Sequence, residues 1–194
     1  FDLKTHEVIK KIAFTNNGEE DIAMNMELDA SGGKLYVPAM GAGTLNVINT
    51  GTLENEKTIT LHKDVDSAAL RPSDVTIDKS LQEIYVSSQG EMDRQSGVSK
   101  GNAGVTVYDL NTGEYKKSIQ FGKQTLSITA DEKNDLVYAT DFATGKVGVI
   151  DARTGTVSAE VNAGKNGAND VLVTPEGTAY AVTRDAYAEG IKTD

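Results

Sequence analysis

Four tyrosines set the frame of this chain. Tyr36, Tyr85, Tyr138 and Tyr180 sit in the short runs Lys34-Leu35-Tyr36-Val37, Glu83-Ile84-Tyr85-Val86, Leu136-Val137-Tyr138-Ala139 and Thr178-Ala179-Tyr180-Ala181, spaced by 49, 53 and 42 residues. After three of them comes a second motif: Leu45-Asn46-Val47-Ile48-Asn49-Thr50-Gly51, Val105 to Asp109 ending in Thr112-Gly113, and Val147 to Asp151 ending in Thr154-Gly155. Alternating β-branched, aromatic and apolar residues cut by Gly and Asp are the signature of short strands. The Asp-x-x-Thr-Gly ending closes a tight turn, with Gly free to take positive φ. A truncated copy opens the chain at Phe1 to His6, placing His6 where the others carry Gly51, Gly113 and Gly155. A strand-built repeat of this length predicts propeller blades, not a helical solenoid.

The composite pattern, Lys-x-Tyr-Val, then Gly-x-Val-x-Val-Ile-Asp, then Thr-Gly-x-Val, resembles the YVTN-repeat β-propellers, the YncE-like bacterial propellers among them. The resemblance covers nearly the whole chain. It implies an all-β fold of four-stranded antiparallel blades, about four of them, out of a seven-bladed parent. Its expected layout is a blade remnant at 1–14, blades at about 21–61, 73–121 and 125–161, and a partial blade at 169–194. The alternative is that Glu7 to Phe14 completes the fourth unit and closes a small ring. An open arc would expose apolar blade faces and strand edges, so the resemblance also implies self-association of an isolated fragment. It further implies an extracytoplasmic location: periplasm, secreted or cell surface.

Composition bounds the function. The chain has 194 residues, no cysteine, two histidines and a net charge of −10. Disulfides, thiolate metal sites and cysteine nucleophiles are excluded. The charge disfavours a non-specific grip on nucleic acid. No apolar run is long enough to predict a membrane span.

In chain order, Met24, Met26 and Leu28 alternate with polar residues and predict an inner strand. Pro38-Ala39-Met40-Gly41-Ala42-Gly43 is a Gly-rich loop that could cradle an anion with backbone N–H groups, but it precedes a strand and not a helix, so that reading is weak. Ser87 to Gly104 reads as a long Gly- and Ser-rich insertion, which predicts either a mobile loop or part of a ligand site. The acidic turn Asp131 to Asp135 lacks the spacing of a calcium loop.

In a four-stranded blade, the entering loop and the loop between strands two and three share one face. The diverse segments fall there: 15–21, 38–44, 62–73, 87–104, 122–125, 140–146, 162–169 and 184–194. The turns of the other face are short and repetitive. One-sided diversity on a constant scaffold predicts a binding face. Aligning on the tyrosines stacks Asn25, Asp74, Ser127 and Asp170, each just before an apolar inner-strand residue, as a polar arc near the central channel. The competing reading is that these side chains only bond backbone at strand entry. Arg71, Arg94, Asp141 and Arg184, on the same face, complete the candidate ligand-binding set.

No catalytic constellation, metal site or cofactor site is recognisable in the sequence. Two readings remain: a non-enzymatic scaffold binding a protein, glycan or small ligand through the loop-rich face, or a lactonase-like or haem-bearing propeller whose functional residues lie in other blades. Single-stranded nucleic-acid binding, suggested by the resemblance, is opposed by the charge and by the scarcity of aromatics in the long loops.

Overall fold

The computed structural model describes residues 1–185 and is built entirely from short antiparallel strands; none of its sixteen elements is a helix. Three sequential four-stranded sheets carry the fold. Sheet I comprises β3 (Glu27–Asp29), β4 (Lys34–Ala39), β5 (Thr44–Asn49) and β6 (Glu54–Thr60). Sheet II comprises β7 (Pro72–Asp78), β8 (Glu83–Met92), β9 (Ser99–Asp109) and β10 (Tyr115–Gln120). Sheet III comprises β11 (Thr125–Asp131), β12 (Leu136–Asp141), β13 (Lys146–Asp151) and β14 (Thr156–Asn162). A two-stranded unit, β15 (Ala168–Val173) and β16 (Ala179–Thr183), follows, and the small hairpin β1 (Thr15–Asn16) and β2 (Glu19–Glu20) precedes them. In every sheet each strand pairs with its sequence neighbour, the up-and-down order of a propeller blade.

The core lies between sheets, where each blade presses one face onto the next. Tyr36, Leu45, Val47, Ile59 and Leu61 of the first unit meet Leu70, Val75, Ile77, Ile84, Val86 and Tyr108 of the second. Tyr85, Val105, Val107, Ile119 and Phe121 of the second meet Ile128, Val137, Ala139, Ile150 and Ala152 of the third. The tyrosines that frame the sequence record this stacking. Tyr36 and Tyr85 are 1% and 0% exposed under the next sheet, whereas Tyr180, with no described sheet over it, is 58% exposed. Tyr138 is half-buried in a groove of 330 Å³ between sheet III and the β15–β16 hairpin.

The turns between strands three and four repeat one design. Asp109 Oδ1 accepts from the N–H groups of Asn111 and Thr112, and Gly113 N–H closes onto Asp109 C=O at 2.8 Å. Asp151, Asn49 and Asp2 build the same turn, closed by Gly155, Leu53 and His6. The closing residues share positive φ: 60° at His6, 57° at Leu53, 70° at Gly113 and 71° at Gly155. The first-sheet counterpart of Gly113 is therefore Leu53, two residues beyond the Gly51 that the Thr-Gly pattern singles out. The sheet I turn has the same length, with its Thr-Gly pair two residues earlier, and the Asx bonds, not glycine, define its register.

Three further expectations are corrected. Glu7 to Phe14 follows a properly formed turn yet pairs with no strand; Lys10 instead bonds Glu54 at 2.8 Å. Among the described residues no third strand lies beside it, and a strand without a ladder partner is not a strand. The ladder of the first inner strand begins only at Glu27; residues 22–24 touch β4 through the single bridge Ala23–Ala39, and Met26 and Leu28 are exposed. Finally, Ser87 to Gly104 is not a loop. Its two arms extend β8 and β9 into a long hairpin with pairs from Ser87–Val105 to Met92–Ser99, leaving only residues 93–98 as the tip. Polar residues that resemble loop composition here occupy ladder positions, and Ser87, Ser88 and Gln89 are buried. The expected extent of a partial fourth blade over 186–194 lies outside the described residues.

Candidate functional site

The polar arc is a continuous hydrogen-bonded structure. Ser127 is 1% exposed, and its Oγ lies 2.8 Å from Asp74 Oδ2 and 2.7 Å from Asp170 Oδ1. Ile128 N–H also donates to Asp74 Oδ2 at 3.1 Å, Val75 N–H donates to Asp74 Oδ1, and Val171 N–H donates to Asp170 Oδ1. Asn25 N–H donates to Ser73 C=O at 3.2 Å, beside Asp74. Four successive units are thus joined at the same step of their inner strands. Both readings of the sequence meet here, because the carboxylates bond backbone N–H groups at strand entry and also reach across to the next unit. Burial is uneven along the arc. Asp74 is 7% exposed and Ser127 almost sealed, while Asn25 and Asp170 are open to solvent.

One local device places these side chains. The ladder slips between Pro72 and Asp74, between Thr125 and Ile128, and between Ala168 and Asp170. Each slip is a bulge that puts an extra residue into the inner strand and turns the side chain beside it. The alternation rule for a regular strand does not apply across such a step, and no residue type in the sequence announces it.

Charge follows burial. Burial pushes the Asp74 carboxyl above its ordinary 3.8, against the donors from Ile128, Ser127 and Val75. Glu27, half-buried on β3, is also raised, first by burial and then by the charge of Asp74.

The remaining candidates do other work. Asp141 is 1% exposed, and its carboxylate accepts from the N–H groups of Lys123, Gln124 and Ala143 and from the Thr144 hydroxyl. It ties the loop entering sheet III to the loop between its second and third strands. Asp185 ties residues 165 and 166 in the same way, and Glu91 holds Ala69 N–H at 2.9 Å. Asp21 does so for sheet I, and its carboxylate occupies the N–H groups of Gly41 and Ala42. Of the Pro38–Gly43 loop, Pro38 and Ala39 belong to β4, and the N–H groups of Gly41 and Ala42 hold a carboxylate of the same chain. Arg184 lies over the Phe142 ring at 3.9 Å and donates to Phe142 C=O at 3.1 Å, with its Nε buried and without a partner. Arg94 is exposed at the hairpin tip. Arg71 precedes the sheet II bulge with φ of 55°, and its carbonyl accepts from Gln89 N–H. The structure thus joins Asn25, Asp74, Ser127 and Asp170 and leaves Arg71, Arg94, Asp141 and Arg184 outside that arc. The loop braces Asp21, Glu91 and Asp185 escape sequence reasoning, because each bonds backbone about 20 residues away. Their one shared signal is an acidic residue at the edge of a variable loop.

Among the described residues no group of three or more His, Asp or Glu side chains is arranged to hold a metal ion, and no helix is long and apolar enough to cross a membrane.

Stacked up-and-down sheets with a polar arc at their strand entries define a β-propeller. No family model matches the sequence, and no curated protein matches it. Among solved structures, a chain of hydrazine synthase from Kuenenia stuttgartiensis is similar, with a TM-score of 0.65 and 14% identity. The match covers 80% of this chain and 40% of that one, so this chain spans less than half the length of that protein. A likeness at this identity speaks for the fold alone.

Proposed function

We propose that this protein is a non-enzymatic binding propeller of the YVTN-repeat type, working outside the cytoplasm and engaging a glycan, protein or small ligand through its loop-rich face. The observation that supports this most directly is the arc. Three units repeat the same bulge, and each turns a polar side chain toward the one before or after it. Solvent reaches the arc at Asn25 and Asp170, where an acceptor-rich rim suits a ligand that brings hydroxyl or ammonium donors. The braced loops around it form a rigid frame, which reduces the ordering cost of binding. The net charge and the acidic arc both favour neutral polyol or cationic ligands over nucleic acid.

The test is a thermal-shift screen of a panel of oligosaccharides, basic peptides and small amines against the full chain and against Asn25→Ala and Asp170→Asn. Both substitutions are at exposed positions. Ligands that stabilise the parent protein and lose that effect in either variant support the reading. A panel with no active member, or ligands that act equally on all three proteins, overturns it.

A further inference from the structure

The arc contains one proton fewer than its geometry needs. A serine hydroxyl carries a single hydrogen, yet Ser127 Oγ is within bonding distance of a carboxylate oxygen on either side. With both carboxylates ionised, one of the two contacts would set lone pair against lone pair inside a buried site. We propose that Asp74, Ser127 and Asp170 form a relay holding one shared proton: Asp74 is the neutral acid and donates to Ser127, which donates in turn to Asp170. The proton resides on Asp74 Oδ2, whose remaining lone pair still accepts the Ile128 N–H. Burial decides the direction. Asp74 is enclosed between sheets II and III, where ionisation is costly, whereas Asp170 faces water and keeps its charge cheaply. The upward displacement of the Asp74 carboxyl agrees with this placement. The relay does not depend on any ligand.

Another charge acts on the relay. Glu27 on β3 is the acid that interacts with Asp74 across the first join, and it is itself raised, first by burial.

The consequence is a pH-set join between sheet III and the β15–β16 hairpin. Because the folded-state pKa of Asp74 lies above its ordinary 3.8, the relay's contribution is complete below that value. It is lost as pH rises through the folded pKa, when two carboxylates confront each other across Ser127.

Carbon-13 NMR of the carboxyl carbons in the uniformly labelled full chain tests this. Asp74 should titrate above 3.8. In Asp170→Asn the amide can donate to Ser127, whose hydroxyl then turns to Asp74. The Asp74 midpoint should fall by about one unit, a tenfold loss of proton affinity. In Ser127→Ala, which removes the hydroxyl that links the two carboxylates, the Asp74 midpoint should also shift. An Asp74 carboxyl in the parent protein that titrates at or below the ordinary value overturns the relay, and so does one unmoved by both substitutions. The parent titration stands by itself if a variant fails to fold.

Discussion

Replacing Glu132 with lysine should stabilise this protein, and the reason lies in a comparison of two neighbouring joins. At the join of sheets I and II, Lys79 Nζ reaches back to the preceding unit and meets Asp29 Oδ1 at 2.5 Å and Ser31 Oγ at 2.6 Å. Asp78 occupies the place of Asp29 one unit on, and Glu132 the place of Lys79. Asp78 is 0% exposed and its Oδ2 has no partner, while Glu132 turns to Lys79 N–H at 2.9 Å. A buried acceptor left unpaired costs about 1–3 kcal/mol. Bringing an ammonium group to it recovers part of that, less about 1 kcal/mol for ordering the lysine chain and the loss of one exposed hydrogen bond. The expected net gain is about 1 kcal/mol, or roughly 2–4 °C in Tm for a domain of this size. Calorimetric or denaturant unfolding of Glu132→Lys in the parent and in an Asp78→Asn background measures it. No gain, or the same gain in both backgrounds, refutes the reasoning, because the second background lacks the carboxylate the lysine should meet.

Other outcomes follow from the same packing. A Cβ at Gly148 would lie 2.7–3.0 Å from the Phe121 ring, so Gly148→Ala should cost about 1–2 kcal/mol by overpacking; Phe121→Leu should relieve most of it in a double-mutant cycle of unfolding free energies. The Lys79 contact holds the Asp29 carboxyl below its ordinary 3.8, so the stabilisation this pair provides is present above that pH and is lost as pH falls through the folded pKa. In Lys79→Met this acid-side loss should shrink, as read from unfolding at a series of pH values. Asp141→Ala leaves three N–H groups without their acceptor and should cost about 2–4 kcal/mol, with hydrogen exchange accelerating first at residues 122–125 and 142–145. Trypsin should nick the hairpin after Arg94, within the 93–98 tip, and spare Lys100 in the paired arm.

How much of this was legible beforehand can be argued residue by residue. The tyrosine period and the Asx-turn endings specify strands, turns and blade number per length of chain, because these depend on local alternation and on side chains that bond their own backbone two or three residues away. The alignment of Asn25, Asp74, Ser127 and Asp170 was legible for the same reason: a repeat places equivalent residues at equivalent heights. What the sequence could not supply is anything that depends on the neighbour in space. Ser87 to Gly104 has the composition of a loop, yet pairing across the hairpin satisfies its backbone and makes it strand. Glu7 to Phe14 has the composition of an outer strand, yet among the described residues no ladder partner lies beside it and it forms no strand. The bulges that turn the arc residues leave no mark in composition, and the carboxylate braces join residues far apart along the chain. The same distinction separates Lys79 from Glu132. Their charges are plain in the sequence, but only the stacking of one sheet on the next decides that Asp29 gains a cation and Asp78 does not. Likewise, only the tertiary structure sets the single Ser127 hydroxyl between a buried acid and an exposed one, because the burial that separates them is a property of packing between units.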